Sequence, residues 1–244
     1  NKILQKDSNY ISAQNNLGLI FKNTGEIEKA KTCFEKVIEL NSEIAEPYNN
    51  LGLIFQMLGE NEKAIHYFKK SIKVDPNYAS AYYNAASVSN SMGNKKIAKN
   101  YYKKAIDINS SYAPALTNLG SIELNTGNKQ QALSLLIKAT ESDRQLAPAW
   151  GNLANGYVQL GKTQEAEIAC RKVIELNPNL FNSHFLLGTI LIGQKKLQEA
   201  EQPLRKAIEF KPDFAEAHSN LGNILKDLGK LEDAELSTRK AIEL

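Results

Sequence analysis

The chain is poor in the residues that carry most chemistry. Its only cysteines are Cys33 and Cys170, and neither stands at a CxxC or other metal-ligand spacing. A disulfide framework is therefore excluded, and both side chains are expected to be free thiols. Its only histidines are His66, His184 and His218, with no third ligand at metal spacing beside them. There is no GxSxG elbow, no Ser/His/Asp constellation and no phosphate loop, so no catalytic site and no cofactor are expected. No run approaches the roughly 18 to 20 apolar residues of a membrane span, and no charged-then-apolar signal segment opens the chain. The reading is no membrane partner, with the cytoplasm as default compartment. A formal net charge of +3 over 244 residues does not by itself call for nucleic acid or an acidic surface.

What the chain does have is a period. Ala30, Ala64, Ala98, Ala132, Ala166, Ala200 and Ala234 are spaced 34 residues apart without insertion or deletion. This places repeats at 11–44, 45–78, 79–112, 113–146, 147–180, 181–214 and a truncated 215–244. Residues 1–10 read as the end of a preceding repeat, because Asp7-Ser8-Asn9-Tyr10 aligns with Asp75-Pro76-Asn77-Tyr78. A turn is expected there. With Asn1 inside a second helix and Leu244 just before a closing loop, the sequence is expected to be a piece of a longer protein.

Across the repeats, positions 4, 7, 8 and 11 and then 20, 24 and 27 are predominantly apolar or small, which is the spacing of an amphipathic helix written twice. Gly25, Gly59, Gly93, Gly127, Gly161 and Gly229 at position 15 mark the turn between the helices, and Pro76, Pro178 and Pro212 close their repeats. Glycine at position 8 (Gly18, Gly52, Gly120, Gly188, Gly222) and alanine at position 20 permit close helix approach. Tyr48, Tyr82 and Trp150, with His184 and His218, occupy position 4 and are expected to be packed rings. One such hairpin cannot cover its own apolar face, so neighbours must stack. The set Tyr48, Leu51, Gly52, Phe55, Ala64, Phe68 and Pro76 resembles the tetratricopeptide repeat (TPR) family, and the resemblance covers essentially the whole chain. It implies an all-α fold, a right-handed α-solenoid of tandem 34-residue helix-turn-helix hairpins.

On the first helix of each repeat, positions 2, 5, 6, 9, 12 and 13 form a stripe opposite the packed face. The resemblance implies that this stripe lines the inner surface of the array. At position 6 stand Asn16, Asn50, Asn84, Asn118, Asn152 and Asn220, with Leu186 as the exception. A carboxamide offers one acceptor and two donors, matching a peptide group, so a row of them can hold an extended backbone. The ladder resembles that of the O-linked N-acetylglucosamine transferases. The same asparagines could instead satisfy hydrogen bonds between repeats, and both readings stand at this point. Asn155 and Asn223 at position 9, with Asn90 and Asn125, add to the polar lining.

Repeats three to six carry no charged residue on this stripe; Lys22, Glu46, Glu216, Lys226 and Asp227 are its only charges. The family's lysine and arginine clamp for a C-terminal carboxylate is absent, so binding is expected to depend weakly on salt. Repeat six departs from the pattern: Leu186 replaces asparagine, Lys195 replaces the turn glycine and Pro203 lies inside the second helix, where a kink is expected. Phe185, Leu186 and Ile192, with Val158 adjoining, form an apolar patch that is either a contact site or covered by the next hairpin.

Lys95, Lys96, Lys99, Lys103 and Lys104 interleave with Tyr101 and Tyr102, but Asp107 and the scatter of these lysines around the helix argue against nucleic acid as partner. Glu165 and Glu167 read as solvated surface. The partner is a protein or an extended peptide bound by an interaction scaffold that is not itself an enzyme. The alternative is the substrate-recruiting arm of a multidomain enzyme such as a glycosyltransferase. Self-association through the sixth-repeat patch or the cut array ends is a further expectation.

Overall fold

The computed structural model describes the backbone of residues 2–244 and the side chains from residue 10 onward. Among the described residues the secondary structure is entirely helical. The chain divides into two compact units, Asn1–Ala115 and Leu116–Leu244.

The first unit holds α1 (Lys2–Asn23), α2 (Ile27–Leu40), α3 (Ala45–Met57), α4 (Asn61–Val74), α5 (Ala79–Ser91), α6 (Lys95–Ile108) and the first turn of α7 (Ala113–Asn125). The second holds the remainder of α7, then α8 (Lys129–Ser142), α9 (Ala147–Gln159), α10 (Thr163–Leu176), α11 (Phe181–Gly193), α12 (Leu197–Phe210), α13 (Ala215–Asp227) and α14 (Leu231–Glu243). In each unit consecutive helices pair as hairpins, and the second helix of one hairpin packs on the first helix of the next.

Small residues make the hairpins close. A Cβ placed on Gly52 would lie 2.5 Å from the buried Phe68 ring, and one on Gly120 or Gly188 would lie 2.7 Å from Leu136 or Leu204. Position 8 thus faces position 24 across the hairpin, with the position-20 alanines fully buried beside it at Ala64, Ala132 and Ala200. The cores that result are local: Phe55, Ala64, Phe68, Ala85 and Val88 form one in the first unit, while a longer cluster from Leu124 to Ala234 runs through the second.

The hairpin turns follow from one residue in the left-handed region. At Gly59 (φ 76°) the first helix ends with Glu60 N–H donating to Phe55 C=O (2.9 Å) and Gly59 N–H to Gln56 C=O (3.0 Å). Lys195 holds the same place with φ 60° and the same bonds, Lys196 N–H to Leu191 C=O (2.9 Å) and Lys195 N–H to Ile192 C=O (2.9 Å). The turns between hairpins do not require proline. Asn41, Asp75, Asn109 and Asp143 each accept, on Oδ1, the backbone N–H two residues later.

The structure departs from the sequence reading at the amino-terminal end. α1 runs without interruption from Lys2 to Asn23, through the expected turn at 7–10. Ser8 stands where Pro76 enforces a break, and Asp, Ser and Asn are tolerated within a helix, so the local sequence permits its continuation. Asn1 lies outside the described residues. α12 passes through Pro203 as one continuous helix.

Candidate functional site

Three of the position-4 rings are held by the loop before them. Trp150 Nε1–H donates to Arg144 C=O (3.0 Å); His184 Nε2 and His218 Nε2 meet Pro178 C=O (2.6 Å) and Pro212 C=O (3.0 Å). All three carbonyls fall at position 32, so each ring closes the loop that delivers its own helix. The ring nitrogen must carry the proton in both histidines, since a carbonyl only accepts. His66 is exposed and set edge-on to Tyr67. Cys33 and Cys170 are free and buried. Burial pushes the Cys170 thiol up to about 12, and its Sγ donates to Ser183 C=O at 3.1 Å.

In the first unit the asparagine row is partly consumed by the fold. Asn84 Nδ2 donates to Asn49 Oδ1 at 2.8 Å, a bond from position 6 of one repeat to position 5 of the repeat before it. Asn49 is 4 % exposed, so its carbonyl has no access to bulk water as an alternative. The corresponding atoms one repeat earlier, Asn50 Nδ2 and Asn15 Oδ1, are both buried and unbonded. Asn50 itself is only 4 % exposed, and Asn16 is exposed.

In the second unit position 5 varies: Thr117 stands before Asn152, Gly151 before Leu186 and Phe185 before Asn220. Asn118 is half-buried and has an interaction partner. Phe185, the residue at position 5 before Asn220, offers no acceptor, and Gly151 stands before Leu186, so acceptor and donor are lost together there. Asn152 and Asn220 are half-buried and, among the described residues, their side chains hydrogen-bond to no protein group. Asn155 and Asn223, one helical turn further on, are exposed.

Phe185 is half-buried, its ring centroid 4.7 Å from that of Phe214, which also meets Phe181 at 5.3 Å. The Lys211 ammonium lies over Phe181 and Phe214 at 4.9 and 5.3 Å. The loop that leads from α12 into α13 thus covers part of the Phe185 ring. Leu186 and Ile192 are half-buried against the core, while Val158 is 41 % exposed.

Two features escaped the sequence reading, and one corrects it: Glu167, expected at the solvated surface, has a side chain only 14 % exposed because two cations close over it. Glu123 occupies a position that is Phe55, Tyr157 or Leu191 elsewhere, yet it is buried, with Asn128 Nδ2 donating to its Oε2 at 2.7 Å. The signal was a carboxylate at an apolar register position. The other is a repeated ion-pair network between second helices. Glu167 accepts from Arg171 and Lys196, both at 2.9 Å, and Arg171 reaches Glu199 at 3.7 Å. One repeat later Glu201 accepts from Arg205 (3.0 Å) and Lys230 (2.7 Å), and Arg205 reaches Asp233 at 3.0 Å. Burial opposes ionisation of Glu167, but Lys196 and Arg171 outweigh it and hold the carboxyl below its ordinary range. Glu201 is likewise lowered, chiefly by Lys230.

These observations define a class first: tandem two-helix repeats, closed by position-4 rings, with a polar stripe on the first helices. The tetratricopeptide repeat pattern matches residues 11–44, 79–112, 113–146 and 215–244, and a second form of it matches 45–78 and 147–180. The chain belongs to the tetratricopeptide repeat family, whose members generally serve as protein-interaction scaffolds. Among solved structures it is similar to YrrB, described as a TPR protein with an unusual peptide-binding site, at 27% identity over 75% of this chain and 95% of that one (TM-score 0.64). Two others share the fold. They are pilF of Pseudomonas aeruginosa (22% identity, 79% of this chain and 88% of that one, TM-score 0.69) and a chain of the APC/C Cut9–Hcn1 hetero-tetramer (18% identity, 88% and 43%, TM-score 0.71). No curated protein matches. Among the described residues no helix is long and apolar enough to cross a membrane, and no group of three or more His, Cys, Asp or Glu side chains is gathered to hold a metal.

Proposed function

We propose that this chain is an interaction module that holds an extended polypeptide segment along the first-helix face of its 116–244 unit. Asn152 and Asn220 serve as main-chain contacts, Asn155 and Asn223 extend them, and Leu186 with the free edge of Phe185 gives a short apolar step between the two. The observation that carries this reading is the difference between rungs. Asn84 spends its donor on Asn49, whereas Asn152 and Asn220 keep donor and acceptor unused while half removed from water. A ligand backbone bonding there replaces water without breaking any protein bond, which favours association. Asn16, exposed in the first repeat, is the comparable rung of the other unit. The peptide-binding description of YrrB is consistent with a polypeptide ligand.

The test is to pan a random peptide library on the wild-type chain and measure the selected peptides against a variant with Asn152, Asn155, Asn220 and Asn223 all replaced by alanine. Selected peptides should lose about tenfold or more in affinity, the worth of one or two hydrogen bonds. Their binding should change only modestly with salt: the stripe is uncharged across repeats three to six, and repeat seven, which holds Asn220 and Asn223, adds Glu216 and Asp227 against Lys226. Equal affinity for both chains would remove the asparagines from the site.

A further inference from the structure

The near-neutral total charge conceals an uneven distribution. α4 and α6 together carry nine lysines against Glu62 and Asp107, whereas α10, α12 and α14 each carry more acids than bases. The register shows why the lysines are left over. In the second unit a base at position 25 is matched by an acid at position 21 of its own helix and another at position 19 of the next second helix: Arg171 with Glu167 and Glu199, Arg205 with Glu201 and Asp233.

In the second and third repeats Lys69 holds position 25, but the two acid places are Ile65 and Ile97. Position 29, which supplies Glu175 to Lys172 and Glu209 to Lys206, is here Lys73. Lys69, Lys70 and Lys73 on α4 and Lys95, Lys96 and Lys103 on α6 are all exposed, each trio within about 100° of its helix's circumference although the full lysine set of α6 spreads more widely, and among the described residues none of the six forms an ion pair. Ile97 lies among them 50 % exposed, and Ile65 is half-buried.

We propose that this face of α4 and α6 docks an acidic polypeptide segment that carries an aliphatic side chain among its carboxylates. Unpaired like charges on neighbouring helices repel one another and attract an anion, and their field speeds its encounter. The two isoleucines in the acid places give the partner something to bury that a phosphate backbone cannot use. The same face lacks the parts a nucleic-acid site needs. α4 and α6 contain no arginine, Tyr102 is buried, Tyr67 is stacked on Phe55 (5.2 Å) with the Lys70 ammonium over its ring (5.2 Å), and Tyr101 is turned to Tyr82 (6.2 Å), so the aromatic rings of this face are engaged within the protein. This surface lies on second helices, apart from the asparagine stripe, and stands independently of it.

The experiment is fluorescence anisotropy with a labelled peptide of glutamates bearing leucine at every fourth position. Its glutamine counterpart, a labelled oligouridylate and vesicles containing phosphatidylserine are the competing probes. The Glu/Leu peptide should bind the wild-type chain at least about tenfold more tightly than the glutamine peptide, and more weakly as salt rises from about 50 to about 200 mM. Lys69→Glu with Lys103→Glu should weaken it about tenfold or more. Ile97→Glu, which installs the acid that Glu199 and Asp233 supply elsewhere, should weaken it several-fold with the circular dichroism unchanged; Lys69→Gln with Lys103→Gln repeats the test without charge reversal. The proposal is overturned if the glutamine peptide binds as well, if the lysine variants bind as the wild type does, or if oligouridylate or the vesicles bind at lower concentration than the peptide.

Discussion

Replacing Asn84 with alanine and replacing Asn152 with alanine should have unequal consequences for stability, although both stand at position 6. Asn84→Ala removes the 2.8 Å bond to Asn49 Oδ1 and leaves that carbonyl, on a residue 4 % exposed, without a donor. The cost of such a stranded group is about 1 to 3 kcal/mol. Asn152 bonds to no described protein group, and its half-buried side chain keeps water, so Asn152→Ala should cost less than about 0.5 kcal/mol. The assay is urea unfolding followed by circular dichroism and fitted as a chain of nearest-neighbour repeats, since each hairpin is stabilised by its neighbours. A double-mutant cycle on Asn49 and Asn84 should return a coupling of about 1 kcal/mol. Equal losses for Asn84→Ala and Asn152→Ala, or additive effects at Asn49 and Asn84, would refute the division between structural and available rungs.

Gly52→Ala should destabilise by about 1 kcal/mol net, the clash with the immobile Phe68 ring outweighing the gain in helix propensity, and Phe68→Leu should relieve it. Lys195→Gly should raise the urea midpoint, worth roughly 1 kcal/mol, because φ 60° is strained for lysine and free for glycine. Cys170, with its thiol raised to about 12, should react with a soluble disulfide at pH 8 roughly a thousandfold more slowly than an ordinary exposed thiol. Glu201 is held below its ordinary range, so its stabilisation is complete above the unfolded-state pKa and lost as pH falls through the folded one. Glu201→Gln should flatten that acid limb by no more than about 1 kcal/mol, because Arg205 and Lys230 are about half exposed.

The elements of the fold were legible because they repeat within 34 residues. The alanines from Ala30 to Ala234 set the period, and the glycines from Gly25 to Gly229 mark turns that the structure shows at positive φ. Lys195 was visible as the one turn without glycine, and it keeps the turn at a conformational cost. What the sequence left open were pairings between repeats. The role of Asn84 depends on Asn49, thirty-five residues earlier, and the availability of Asn220 depends on Phe185 having no acceptor. Position 6 alone looks the same in both. Likewise Phe185 read equally well as exposed or covered until Phe214 was seen against it. Residues 7–10 failed for the reverse reason, since a turn signature without proline does not forbid a helix.

The central claim, that Asn152 and Asn220 are free to hold a peptide backbone while Asn84 is committed to the fold, is tested most directly by nuclear magnetic resonance of the asparagine side-chain amides during titration with a peptide selected on the wild-type chain. The Asn152 and Asn220 carboxamide resonances should shift with saturation and the Asn84 resonance should stay in place. Movement of Asn84 without movement of Asn152 and Asn220 would contradict the account.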